Sequence, residues 1–237
     1  MKLEICANSF ESTLAAQKAG ADQIELCTEL SVGGITPSYG LLEKVTSELD
    51  IPVHVLIRPR SGNFAYCHAE IDTMLRDIAA CKLLGCAGVV SGALTATNDI
   101  DIRTTSKLIH AAAGMEFTFH RAFDVCNNPN KELQNLINLG ITRLLTSGQQ
   151  QKAVDGIDLL KEVLKTATGK IQVMPGSGIT PENILQFKEA GFPIVHSSAS
   201  KKRITETKPA ATTVTFETGT ASVSDEEIIR KMLQLIS

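Results

Sequence analysis

The stretch NLGITRLLTSG, residues 138–148, decides how the whole chain is read. A helical pattern ends at Gly140, and a short apolar run follows at once. A glycine just past a helix supplies the left-handed residue that closes it. The same phrase recurs as KAGADQIEL (18–26), LLGCAGVV (83–90), AAAGMEFTF (111–119), ATGKIQVM (167–174) and EAGFPIV (189–195). The closing glycines are Gly20, Gly85, Gly114, Gly140, Gly169 and Gly191, spaced by 65, 29, 26, 29 and 22 residues. The long first gap contains SELDIPVHVLI (47–57), the same phrase with Asp50 in the glycine's place. The apolar runs are short and often β-branched, as expected of strands buried on both faces of a parallel sheet.

Counting the runs predicts eight strands, at about 2–6, 23–27, 52–57, 87–91, 115–119, 142–146, 170–174 and 193–197. Helical patterns separate them, as at Ile71, Leu75 and Ile78. Thr180-Pro181 reads as a helix cap followed by proline at the first helical position. Strand–helix alternation predicts an α/β protein. Eight units in this length fit a closed (β/α)8 TIM barrel better than a doubly wound sheet, which stays the alternative. Residues 200–222 break the pattern and read as an extended loop after the eighth strand, with an extended piece at TTVTF (212–216). A C-terminal helix is expected over 224–236, capped by Ser224 with Glu227. The whole chain, 1–237, reads as a single domain.

The totals narrow the function classes. Hydrophobic residues make up 43% and charged ones 21% of 237 residues, an ordinary globular balance. A net charge of -3 argues against nucleic acid as a partner. The N-terminal MKLEICANSF lacks the apolar segment of a signal peptide. Nothing approaches the roughly 18 apolar residues of a membrane span. The cytoplasm is therefore expected, with the six cysteines reduced.

In this fold the chemistry sits where strands end. The first two strands end in the same E-x-C phrase, Glu4-Ile5-Cys6 and Glu25-Leu26-Cys27. Alternation puts each glutamate and its cysteine on one face. Glu4 and Glu25 are candidates for general acid and base, for metal ligands, or for ion pairs with Arg58, Arg60 or Arg121. Cys6 and Cys27 are soft donors suited to Cu(I), or simply buried thiols. Arg58, Arg60 and Arg121 read as anion holders, since a guanidinium grips a carboxylate or phosphate with two prongs. Gly176, Ser177 and Gly178, after the seventh strand, precede a helix, and barrels often bind phosphate there. Ser147 after the sixth strand, and His196, Ser197 and Ser198 on the eighth, add polar groups. His120 and Asp124 are an expected acid–base pair. Strand geometry sends His120 and Arg121 to opposite sides, so one of the two should meet the carboxylates of strands one and two. Asp124 should then hold the loop or its arginine. His54, His68 and His110 read as bland.

With these residues assembled, the chain resembles the CutC family of copper homeostasis proteins. The resemblance rests on EICANS (4–9), GADQIELC (20–27), GGITPSYG (33–40), VLIRPRSGNF (55–64), TFHRAFD (118–124), LLTSG (144–148) and MPGSGI (174–179). It covers the chain through about residue 200 and is loose beyond. It implies a (β/α)8 barrel, a cytoplasmic homo-oligomer and a role in copper handling, with copper as the bound ion and Cys6 and Cys27 as natural ligands. Ser91 stands where relatives often carry a bulkier residue, and Ser177 where glycine is common. Against copper, the strand ends are rich in hard groups. The alternative is an enzyme acting on a small anionic, phosphorylated or carboxylated, or sugar-like metabolite.

Overall fold

The computed structural model describes residues 1–204 and 220–237. Eight parallel strands run β1 Lys2–Ala7, β2 Gln23–Leu26, β3 Val53–Leu56, β4 Gly88–Ser91, β5 Glu116–Phe119, β6 Arg143–Thr146, β7 Gln172–Pro175 and β8 Ile194–Ser197. They lie side by side in chain order, with β8 against β1. A bridge between Gly176 and His196 joins β7 to β8 and completes the ring. Helices α1 Phe10–Ala19, α2 Tyr39–Glu48, α3 His68–Leu83, α4 Ile102–Ala111, α5 Pro129–Leu139, α6 Ile157–Ala167 and α7 Ile184–Glu189 connect the strands. The expected barrel is thus present. Gly140 closes α5 with φ 72°, the left-handed conformation that the opening stretch requires. Among the described residues, no helix is long and apolar enough to cross a membrane.

Alternation along each strand sorts two environments. Leu3, Ile5 and Ala7 of β1, Val53 and Val55 of β3 and Phe117 and Phe119 of β5 join the apolar layer between strands and helices. Their neighbours fill the barrel. Two small apolar groups stand there, Cys6, Cys27, Leu56 and Val90 in one and Leu145, Met174 and Ile194 in the other. The remaining interior is polar: Glu4, Gln23, His54, Thr118 and Arg143 are all buried. At the amino ends of the strands, Glu116 ties this network together. His54 Nε2 lies 2.9 Å from its carboxylate, and Arg143 Nη2 donates to it at 2.8 Å.

The tail departs from expectation. β9 Ser200–Ile204 and β10 Thr220–Ser224 form an antiparallel pair where a loop was expected. Serine, threonine and valine suit an extended ribbon, yet its ends carry no apolar run to announce it. Asn8 Nδ2 donates to the Ser222 carbonyl at 3.0 Å and Ser224 N to Ser12 Oγ at 3.1 Å, so the ribbon is sewn to the start of α1. The TTVTF segment lies outside the described residues. The last helix, α8, spans Glu226–Ile236. Its cap is Asp225, not Ser224: the Asp225 carboxylate accepts from Glu227 N and Ile228 N, both at 3.0 Å. Likewise α7 starts three residues after Pro181, because Asn183 Oδ1 accepts from Thr180 N at 2.9 Å and holds a turn there.

Gly88 makes room for the polar interior. A Cβ there would lie 2.3 Å from His54 Cδ2 and 2.8 Å from the Glu116 carbonyl. Gly88→Ala is therefore expected to destabilise the fold by about 1–3 kcal/mol, the usual cost of overpacking. Adding His54→Ala should recover only part, since the backbone clash remains. Urea unfolding of the single and double variants measures this, and an unchanged midpoint for Gly88→Ala would contradict the packing described.

Candidate functional site

The carboxyl ends of the strands surround a cavity of about 620 Å³. Cys6, Glu25, Arg58, His120, Arg121 and His196 line it, with Ser177, Gly178, Ser197 and Ser198 from the last two strand loops. Glu4 and Cys27 lie behind this lining, and Arg60, Asp124, Ser147 and Gly176 are not part of it. Phe64 from the β3–α3 loop and Lys231 from α8 also face the cavity. Neither stands at a strand end, which is why the strand-by-strand reading passed over them.

The floor is one connected chain of groups. His196 Nδ1 donates to Glu4 Oε1 at 2.8 Å, and its Nε2 stands 3.6 Å from Glu25 Oε2. Cys6 Sγ donates to Glu25 Oε2 at 3.3 Å and lies 3.6 Å from Cys27 Sγ. Gln23 Nε2 donates to Glu4 Oε2 at 2.5 Å. His196, not His120 or Arg121, therefore meets the two carboxylates. The register explains it, because Glu4 on β1 pairs directly with His196 on β8. β5 stands four strands from β1, so His120 faces them from the far wall.

Burial and charge set distinct protonation states along this chain. For Glu4, burial pushes its pKa up, but the His196 bond and the charges of His196, His54 and Arg143 overcome it and hold the value at about 2. Burial raises Glu25, and the Glu4 charge adds to this against the pull of His196. Burial lowers His196, yet its bond to Glu4 and both carboxylate charges leave it raised. The contact with Cys27, burial and the Glu25 charge raise Cys6 well above an ordinary thiol. The result is an ionised Glu4 beneath three groups whose proton affinity is raised, His196, Glu25 and Cys6.

The walls are held differently. Arg58 donates to the carbonyls of Val32, Gly34 and Gly62 at 2.7, 2.8 and 2.8 Å, fixing the loops beside β2 and β3. Arg60 is turned away from the cavity. Its Nε donates to Glu70 at 2.5 Å, and Glu70 also accepts from Cys67 N at the start of α3. A carboxylate placed to cap a helix has captured the expected anion holder. Asp124 does not pair with His120. It accepts from Arg121 Nε at 2.8 Å, Thr146 Oγ1 at 2.5 Å, Ser147 N at 3.0 Å and Gln149 N at 3.2 Å, and so fastens the β6 loop. The expected acid–base pair is replaced by a loop clamp that also occupies Ser147 Oγ, 2.8 Å from Asp124. Gly176 serves barrel closure. Ser177 Oγ donates to Gln151 O and Ser197 Oγ to Ile179 O, each at 2.7 Å. Arg121 keeps 40% of its side chain exposed at the cavity edge.

Among the described residues, one group of three cysteine, histidine or carboxylate side chains converges closely enough to hold a metal ion. The donor atoms of Cys6, Glu25 and Cys27 lie within 4.8 Å of one another, and all three residues are buried. Two sulfurs and one carboxylate fit a soft cation such as Cu(I) better than a hard one.

A sequence model of the CutC family matches residues 1–201. A CutC family protein of Glaesserella parasuis is 42% identical over 100% of this chain and 99% of its own length. One from Pasteurella multocida is 44% identical over 97% of this chain and 93% of its own length. The solved structure of CutC from Streptococcus agalactiae, a protein assigned by name to copper homeostasis, superposes with a TM-score of 0.79 at 34% identity, covering 84% of this chain and 98% of that one. On the matched residues, the shared identity and the common barrel, this chain belongs to the CutC family.

Proposed function

We propose that the protein handles copper, holding a Cu(I) ion between Cys6 and Cys27 with Glu25 beside them. The observation that carries this reading is the convergence of three buried donor atoms within 4.8 Å. Cys6 lines the cavity, so an ion arriving from the mouth reaches a thiol directly. The structural relative from Streptococcus agalactiae, with its copper homeostasis name, supports the same assignment. A site of free thiols suits a reducing compartment, in keeping with a cytoplasmic protein.

The ion would replace protons. Cys6 is raised well above an ordinary thiol, so near neutral pH it binds metal only by losing a proton. Affinity should therefore rise with pH, by about tenfold per unit for each proton released. Competition against a Cu(I) chelator under reducing, anaerobic conditions measures it. Cys6→Ser and Cys27→Ser are each expected to weaken binding on the order of 100-fold. Equal affinity in wild type and both variants, or no change between about pH 6 and 8, would remove the thiolate site.

A second reading is favoured by one specific observation. A cavity of about 620 Å³ is far larger than one ion needs and falls in the usual range for small-molecule sites. Its floor holds two carboxylates around one histidine, with Glu4 ionised, His196 raised and Glu25 raised. Environments that push neighbouring groups apart in this way suit proton transfer. His196, held by Glu4, would act as the acid, and Glu25 would exchange a proton with a small carboxylated or phosphorylated metabolite. Melting temperatures with a panel of such metabolites, recorded with a copper chelator present, test this. A true ligand should raise the wild-type value by several degrees, leave Cys27→Ser as responsive as wild type, and lose its effect in Glu25→Gln. A panel that stabilises nothing would count against catalysis.

A further inference from the structure

His120 follows β5, and its ring lines the cavity while only 5% exposed. Gly92 makes space for it, since a Cβ at residue 92 would lie 2.9 Å from ring atoms Cε1 and Nδ1. Phe64 and Phe119 flank the ring, with centroids 4.9 and 5.9 Å away. The backbone N–H of Ala122 donates to Nδ1 at 3.3 Å. With that lone pair engaged, the proton of the neutral ring sits on Nε2. Nε2 is buried and without a partner. Burial, and then the charge of Arg58, bring the His120 pKa down to about 3. The neutral ring of this cavity-lining residue therefore carries a fixed N–H that no protein group accepts. It offers no lone pair for a proton or a metal.

Arg58 stands beside it and is equally unusual. It is 5% exposed, and its guanidinium lies 5.0 Å from the Phe64 ring centroid. Its three hydrogen bonds all go to neutral carbonyls, and Nε has no partner. Among the described ion pairs none involves Arg58, although Arg60 and Arg121 each have a carboxylate. A buried charge ordinarily has a counter-ion. The cavity therefore carries, on one wall, a cation lacking its anion and a neutral donor lacking its acceptor.

We propose that the wall formed by β3 and β5 is a carboxylate subsite, in which His120 donates from Nε2 to a ligand oxygen and Arg58 supplies the balancing charge. This deepens the small-molecule reading and rests on it. One full positive charge and one neutral donor match a monoanionic carboxylate better than a dianionic phosphate. The same ligand would extend its reactive end across the barrel toward Glu25 and His196. His120 is thus a positioning group for the ligand's acidic end, in place of an acid or base.

Pyruvate, the smallest molecule with a carboxylate next to a carbonyl, is the probe. Protein labelled with ¹⁵N at histidine is titrated with it in the presence of a copper chelator, and long-range ¹H–¹⁵N spectra are recorded. His120 is identified by its loss in His120→Phe. It is expected to show the neutral, Nε2-protonated form throughout about pH 5 to 8, and pyruvate should shift its Nε2 resonance. His120→Phe should weaken pyruvate binding roughly tenfold, and His120→Gln, which keeps a donor, by less. If His120→Phe does not fold, the wild-type spectra decide alone. A proton on Nδ1, or an imidazolium in that pH range, overturns the proposal. So does inorganic phosphate shifting His120 more than pyruvate does. Pyruvate that shifts His196 but not His120 sinks this subsite and leaves the small-molecule reading standing. Neither pyruvate nor phosphate shifting any of the five histidines sinks both.

Discussion

The hydrogen bond between His196 and Glu4 is the interaction on which the rest depends. Glu4 has no solvent exposure, and an isolated carboxylate there would be prohibitive. His196 answers it at 2.8 Å. The same histidine forms the bridge with Gly176 that joins the last strand to the seventh. Barrel closure and neutralisation of the interior charge are therefore one event. A barrel that failed to close would leave Glu4 unpaired, and a barrel without Glu4 would leave His196 without the partner that raises its proton affinity. The unusual protonation of the floor follows from closure.

This interior divides along its axis. Toward the amino ends, His54, Glu116, Arg143 and Thr118 bond one another, while His54 Nδ1 stands 4.0 Å from Glu4 without a hydrogen bond and Glu116 keeps 46% of its side chain in solvent. Toward the carboxyl ends, buried donors go unpaired, as at His120 Nε2 and Arg58 Nε. In barrels of this kind the first end stabilises and the second reacts.

Much of the fold was legible because glycine and strand length speak locally. Gly20 and Gly140 take left-handed conformations as closing residues, and each apolar run after such a glycine became a strand. The face of each strand was harder to read. Runs such as IPVHVLI suggest burial on both sides, and both sides are buried, but one side packs helices and the other holds a polar ladder. His54 looked bland for that reason, although it stands in register with Glu25 and Gly88. The pairing of Glu4 and Glu25 with Cys6 and Cys27 on one face followed from alternation and is what the barrel shows. Partners that depend on loop geometry were not legible. Arg60 turned to Glu70, Asp124 turned to the β6 loop, and the β9–β10 ribbon formed from a segment with no apolar period.

The proposed copper ion and the proposed small molecule would compete for the same protons. Cys6 donates to Glu25, and both groups have raised proton affinity. A cation between the sulfurs would expel the Cys6 proton and draw Glu25 to its ionised form. A ligand that exchanges a proton with Glu25 would find it a poorer donor in that state. Conversely, a carboxylate ligand filling the cavity lies across the approach to Cys6. If both proposals hold, the two occupants would oppose each other through one shared hydrogen bond, that of Cys6 to Glu25, and the two loaded forms would differ in the protonation of Glu25.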